Sequence, residues 1–242
     1  MAQQTPLHVV DGLDVAQRRA LEALGKPVEY PALATVYWEG QPAHSVLMIQ
    51  SGGVKVSQSG PDEKDVILAI RGPKEIIGDE GVLMGEVRSA TLTAVKALKG
   101  LDIAAGDFTG FIDKNGLWPM MYRAAVYRRR EMEEANRLGR PDVLIKLINW
   151  LLDLKDKIGD KAEDGSWIIE STLSQADYAS CIGASRDAVA GELRGLRKLN
   201  LVSTKRGRIV LHDFTELRKL ALLRSESLAT SSRHRDQAPH AS

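Results

Sequence analysis

The hydrophobic pattern changes period part-way along the chain, and that change fixes most of what the chain can fold into. From about Val28 to Phe111 the apolar residues fall in short, often β-branched runs at 34–38, 45–50, 54–57, 65–70, 90–95 and 100–104. Turn-forming clusters separate them: Glu39-Gly40-Gln41-Pro42, Ser51-Gly52-Gly53, Ser59-Gly60-Pro61 and Arg71-Gly72-Pro73. Strands at this spacing, with no long helical pattern between them, indicate an antiparallel sandwich or barrel, here a small β-roll of jelly-roll type. Beyond it the period lengthens. Met120, Met121, Ala124, Ala125, Tyr127, Met132 and Ala135 mark a helix entered at Pro119 and ended near Gly139-Arg140-Pro141. Val143, Leu144, Leu147, Ile148, Leu151, Leu152 and Leu154 recur at i, i+3, i+4, i+7 spacing and mark a second, amphipathic helix from Asp142 to Gly159.

The fold class is therefore α+β, and 242 residues suit two domains, each with a core of its own. The acidic stretch 155–165 reads as a loop and 167–170 as a short strand. Residues 226–242, biased to Ser, His, Arg and Pro, lack periodicity and read as a disordered tail.

Composition closes off several function classes. With 43% hydrophobic and 27% charged residues the chain is neither collagen-like nor wholly disordered. Cys181 is the one cysteine, which excludes an internal disulfide and leaves too few thiolates for a structural zinc or iron–sulfur site. It reads as a small buried apolar residue. His44 and His212 stand alone, and His234 and His240 lie in the tail, so no metal site is expected. No apolar stretch approaches a membrane span and the N-terminus has no signal-peptide pattern, so a soluble, cytoplasmic protein without membrane contact is expected. The net charge of +1 hides a split: residues 171–242 carry 12 basic against 7 acidic side chains, residues 1–170 carry 21 against 25. The C-terminal part is thus the one suited to a polyanion.

Within that part, residues 173–198 have helix-turn-helix grammar. Two short helical patterns flank Gly183, which suits the tight turn, and Ala179, Ile182, Val189, Leu193 and Leu196 supply the faces that would pack them. Ser185 can cap the second helix, leaving Arg186 and Asp187 at its exposed first turn. There Arg reads guanine O6/N7 and Asp accepts from cytosine N4. Residues 199–211 alternate around Lys205-Arg206-Gly207-Arg208, a hairpin with a basic tip, so the motif becomes a winged helix whose wing lies on phosphates. The candidate DNA contacts are Ser174, Gln175, Ser185, Arg186, Asp187, Lys205 and Arg206. The plain alternative is a helical pair followed by a solvated basic loop.

A second motif lies at 76–94, Ile-Ile-Gly-Asp-Glu-Gly-Val-Leu-Met-Gly-Glu-Val-Arg-Ser-Ala-Thr-Leu-Thr-Ala. Gly78 and Gly81 allow close backbone approach, and Arg88 with Ser89 can hold phosphate oxygens. Together with the winged helix, this resembles the cyclic AMP receptor protein (CRP/FNR) family of bacterial transcription regulators, over about Leu13 to Leu220. The resemblance implies a cyclic-nucleotide-type β-roll at 1–117, a dimerisation helix and hinge at 118–140, and a winged helix-turn-helix at 141–225, before the tail at 226–242. It also implies effector contacts from Gly78, Asp79, Glu80, Gly81, Arg88 and Ser89, of which Asp79 stands where the family's ribose-binding Glu would be.

Departures from the family pattern matter too. The Thr-Ser pair that holds adenine in cyclic-AMP-responsive members is absent from 121–136, and the second base-reading Arg of the recognition helix falls on Gly191. The cysteine cluster of the iron–sulfur members is absent as well. The resemblance implies a homodimer whose affinity for a pseudo-palindromic DNA site is set allosterically by an effector, with RNA polymerase as a further partner. Cyclic AMP is the first candidate, and cyclic di-GMP or no ligand are the alternatives. In the no-ligand alternative the 76–94 segment, which resembles the family's phosphate-binding cassette, is a turn, with Arg88 paired to a carboxylate such as Glu86. Met120, Met121, Ala124, Ala125 and Met132 are read as dimer core, Arg128-Arg129-Arg130 as a solvated face, and 136–142 as a hinge. No enzyme is expected: the pocket's Asp79, Glu80 and Arg88 could in principle act on a phosphodiester, but no Ser/His/Asp set, metal cluster or phosphate loop accompanies them.

Overall fold

The computed structural model describes residues 8–60, 65–137 and 142–235, with the side chains of 8–60, 65–130 and 142–228. The chain divides between residues 137 and 138 into two compact units.

The first unit is built on an antiparallel six-stranded sheet. Strands β1 (Lys26–Tyr30), β2 (Thr35–Tyr37), β3 (Ser45–Ser59), β4 (Asp65–Arg71), β5 (Ile76–Ile77) and β6 (Thr91–Ala104) pair in the order β1-β6-β3-β4, with β2 on β6 and β5 on β3. Two pairs of expected short strands are single long ones. The Ser51-Gly52-Gly53 cluster is not a turn but a run of register shifts inside the β3–β6 ladder, opposite Lys96 to Lys99. Gly52 makes this possible: its φ is +84°, and a Cβ there would lie 2.2 Å from the carbonyl oxygen of Ala97. The ladder bends where the two backbones come closest, which is the use of a glycine bulge.

The run Val46-Leu47-Met48-Ile49 is 0 to 2% exposed throughout, so alternation alone cannot place it. Successive side chains of a strand point to opposite faces, and both faces are covered here. Leu47 and Ile49 join Val54, Leu92, Ala94 and Leu98 in one core cluster. Val46 and Met48 join Ile103, Phe108, Phe111, Ile112, Met121 and Ala124 in another.

Helices supply most of that second cluster, and the sequence pattern missed two of them. Helix α1 (Val15–Leu24) starts in a capping box between Asp14 and Gln17. Helix α3 (Ala105–Lys114) buries Phe108, Phe111 and Ile112 and fills the rest of the region to Phe111, after a last strand that ends at Ala104 as expected. Between them lies α2 (Asp79–Met84) and after them α4 (Trp118–Arg137). Met121 and Ala124, expected in a dimer core, are each 4% exposed and packed inside their own unit, because α4 lies against the cluster that α3 and β3 begin. The outward row of α4 is instead Trp118, Tyr122, Ala125 and Arg129. The side chains of Met132 and Ala135 lie outside the described residues, as do positions 138–141 of the expected hinge.

In the second unit, α5 (Val143–Ile158) is capped by Asp142, whose carboxylate accepts from Leu144 N at 2.9 Å, and buries Leu147, Ile148, Leu151, Leu152 and Leu154. The stretch expected as loop holds the end of α5 and strand β7 (Asp160–Lys161). That strand extends a sheet of β8 (Trp167–Glu170), β9 (Val202–Lys205) and β10 (Arg208–Leu211) in the order β7-β8-β10-β9. Helices α6 (Gln175–Ile182) and α7 (Arg186–Lys198) pack through Ala179, Ile182, Val189, Leu193 and Leu196, all buried. Helix α8 runs from Phe214 to Arg235, through the first ten residues read as tail. No Gly or Pro interrupts that span. Positions 236–242 lie outside the described residues.

Candidate effector site and nucleic-acid interface

At the end of β5 the chain turns through Gly78, with φ +78°, into α2. A Cβ at Gly78 would lie 2.3 Å from Nη1 of Arg88, so the glycine makes room for that side chain as well as for the turn. Arg88 is 5% exposed. Its Nη1 donates to the Gly78 carbonyl at 3.0 Å and its Nη2 to the Ser45 carbonyl at 2.7 Å, while the guanidinium lies 3.7 Å from the centroid of the Tyr37 ring. The Tyr37 hydroxyl donates to Asp102 at 3.2 Å and sits 3.2 Å from the Ser45 hydroxyl. Burial pushes the Tyr37 phenol up to about 12, with Asp102 acting in the same direction against Ser45 and Arg88. Burial lowers Arg88, against the pull of Tyr37 and Asp102. At neutral pH the phenol keeps its proton and the guanidinium its charge, so the stack is a cation on a neutral ring.

The two acids of the cassette are engaged as well. Buried Asp79 accepts a hydrogen bond from Arg128 Nη2 of α4 at 2.7 Å. Arg128 is therefore not part of a solvated face, because its long side chain folds onto the one carboxylate of the cassette that is out of water. Exposed Glu80 accepts from the Ser89 hydroxyl at 3.2 Å. Arg88 bonds carbonyls rather than Glu86. Gly81 has a packing use, since a Cβ there would lie 2.9 Å from that of Ala43. Tyr37 and Arg128 carried no recognisable signal in the sequence: one looks like an ordinary strand residue, the other like one of three helical arginines.

In the second unit the expected DNA residues fall on two motifs. Ser174 caps α6, accepting from Asp177 N at 3.2 Å while its own amide donates to the Asp177 carboxylate at 2.7 Å. Gln175 is half-buried beside it. Gly183 closes α6 in the left-handed region at φ 61°, ψ 46°, and Ser185 caps α7 by accepting from Ala188 N at 3.2 Å. Arg186 and Asp187 follow, both exposed at the first turn. Cys181 is half-buried rather than buried. Strands β9 and β10 pair Lys205 with Arg208 around a tip of Arg206 and Gly207, and Lys205 and Arg206 are exposed. The Gly207 carbonyl accepts from Ser171 N at 3.0 Å, and Arg197 of α7 donates to the Thr204 hydroxyl at 3.2 Å, fixing the hairpin beside the helix. Among the described residues no group of His, Cys, Asp and Glu could hold a metal ion, and no helix is long and apolar enough to cross a membrane.

A β-roll whose cassette turns through Gly78 into α2, followed by a winged helix, defines a DNA-binding transcription regulator with a cyclic nucleotide-binding domain. The family described as "Cyclic nucleotide-binding domain" matches residues 27–115, and that described as "Crp-like helix-turn-helix domain" matches 145–220. A CRP-like cAMP-activated global transcriptional regulator of Mycobacterium tuberculosis is 24% identical over 215 residues, 88% of this chain and 96% of that one. The cAMP-activated global transcriptional regulator CRP of Escherichia coli is 27% identical over 188 residues, 76% and 88%. Two solved structures share the fold. A CRP-family transcriptional regulator from Thermus thermophilus has TM-score 0.66 at 21% identity, covering 80% of this chain and 96% of that one. The c-di-GMP responsive global regulator CLP of Xanthomonas campestris has TM-score 0.62 at 20% identity, covering 83% and 100%. The chain belongs to the CRP/FNR family of transcription regulators.

Proposed function

We propose that the protein is a homodimeric, sequence-specific regulator whose affinity for a pseudo-palindromic DNA site is modulated by a small effector bound in the β-roll. A cyclic nucleotide is the effector class, cyclic AMP first and cyclic di-GMP second, and RNA polymerase is the further partner. The observation that carries this reading is the Asp79–Arg128 bond, which joins the cassette to α4. A ligand hydroxyl that claims Asp79 competes with Arg128, so ligand binding and the placement of α4 become one equilibrium. Gly78, Glu80, Gly81, Arg88 and Ser89 form the rest of the effector site, with Arg88 and Ser89 toward phosphate. Trp118, Tyr122 and Ala125 on the outward row of α4 offer the surface for a partner helix. Ser185, Arg186 and Asp187 address bases; Ser174, Gln175, Lys205 and Arg206 address the backbone.

Thermal unfolding against cyclic AMP, cyclic GMP and cyclic di-GMP tests the effector. A ligand at 100 times its dissociation constant stabilises by about 2.7 kcal/mol. Ser89→Ala, which gives up only the contact to Glu80, should reduce that shift. No shift with any nucleotide favours the second reading, a regulator of the same fold that works without a ligand. One feature supports that reading: Arg88, Ser89, Asp79 and Glu80 all already have partners within the protein. Sedimentation that gives a monomer at micromolar concentration would refute the dimer.

A further inference from the structure

Along α7 the buried residues Val189, Leu193 and Leu196 set the inward face, and the row opposite them is Asp187, Gly191, Arg194 and Lys198, at i, i+4, i+7 and i+11. Asp187, Arg194 and Lys198 are exposed, and among the described residues Arg194 has no hydrogen bond or ion pair. Gly191 leaves a notch in the middle of the row. A helical side chain covers the surface N-terminal to its own Cα, so the residue placed to lie over that notch is Arg194, one turn later. It does so: a Cβ built on Gly191 would meet Arg194 Nη2 at 3.9 Å, with no other side chain within 4 Å. Arg197, on the flank of the helix, is tied to Thr204 instead.

We infer that Arg194 is a specificity-determining residue, delivering through the notch at Gly191 the second guanidinium with which the recognition helix reads a guanine in the major groove. The assignment rests on the DNA-binding reading of this helix. Its chemistry is that of a planar fork of donors meeting guanine O6 and N7. The glycine is part of the device, because any longer side chain at 191 would occupy the space that the guanidinium uses. Ala190, also small, keeps the neighbouring surface low.

The test is selection of bound duplexes from a randomised pseudo-palindromic pool, without nucleotide and with cyclic AMP, cyclic GMP or cyclic di-GMP, followed by affinity measurements over a range of salt. Wild type, Arg194→Ala and Gly191→Leu are compared, with circular dichroism to confirm that each is folded. The wild type should retain a guanine at one symmetric position per half-site, distinct from that read by Arg186. Arg194→Ala should lose that preference alone, binding the selected site about 30- to 20,000-fold more weakly, about 5- to 150-fold for each of the two half-sites, while duplexes lacking the guanine change little. Gly191→Leu should reproduce the loss with Arg194 still present. A uniform loss over all sequences, with the salt slope lowered by about two, one from each half-site, would make Arg194 a phosphate contact and overturn the inference. So would an unchanged preference in Arg194→Ala. A wild type that enriches no sequence under any condition would overturn the DNA-binding reading itself.

Discussion

Breaking the bond between Asp79 and Arg128 from its two ends should have unequal costs. Asp79 has a side chain only 6% exposed, whereas that of Arg128 is 29% exposed, and 2.7 Å separates their bonding atoms. At an effective dielectric constant of about 20 the gross attraction at that distance is about 6 kcal/mol, most of which offsets the desolvation of the carboxylate. Arg128→Met leaves a buried carboxylate without its cation. For a fully buried pair that costs about 3–5 kcal/mol, and the partial exposure of Arg128 brings the expectation to about 2–3 kcal/mol. Asp79→Asn keeps the shape and a hydrogen-bond acceptor, and the freed guanidinium can turn to water, so about 1 kcal/mol or less is expected. The double variant should cost less than the two singles together, with a coupling of about 1–2 kcal/mol. Urea unfolding in a Trp150→Phe/Trp167→Phe background reads this out, because the remaining Trp38 and Trp118 both report on the first unit. Equal costs at the two ends, or a coupling near zero, would refute the reasoning and with it the link from cassette to α4.

Three further outcomes follow from single features. Gly183→Ala should lower stability by about 1 kcal/mol, visible as a lower midpoint in thermal unfolding; the left-handed backbone is the whole cost, since a Cβ there meets nothing within 4 Å. Tyr37 and Tyr178 are each pushed up to about 12 by burial, so each contributes stability that is complete below pH 10 and is lost as pH rises from 10 to about 12, where the unfolded chain ionises first. Urea unfolding across that window, with tyrosine absorbance as the titration signal, should show a loss of about 2 kcal/mol per tyrosine, absent for the site replaced by Phe. Replacing Lys205 and Arg206 by Ala should weaken DNA binding alike on all sequences and lower the slope of log K against log salt by about four, two from each protomer, as measured by fluorescence anisotropy.

In the second unit the helix-turn-helix and its hairpin were legible because their signals are local, whereas β7 and α8 were not foreseen. A Ser cap, a Gly turn and a hairpin with a two-residue tip each state their geometry within four residues. The β-roll was less legible because its geometry is set by partners distant in sequence. Ser51-Gly52-Gly53 has the composition of a turn, and only the approach of Ala97 makes it a bulge in a straight-through strand. Phe108, Phe111 and Ile112 form a helical triplet too short to stand out as a helix, so the segment after the last expected strand carried no reading of its own. Of the cassette, the residues that converge were readable from their spacing, but their partners were not. Tyr37 reaches Arg88 across 51 positions and Arg128 reaches Asp79 across 49, and no spacing rule covers contacts of that kind.

The run Val46–Ile49 is a party wall. With Leu47 and Ile49 filling one room and Val46 and Met48 the next, no insulating layer separates the interior of the roll from the helices behind it. Close-packed interiors hold few voids in which to absorb a displacement. Whatever pushes on one side of these four residues is therefore felt on the other at once, and a substitution on either face must be accommodated in both. Such a wall makes the strand a stiff place in the fold and an expensive one to alter. Its amides should accordingly be among the last in the protein to exchange their hydrogens with water.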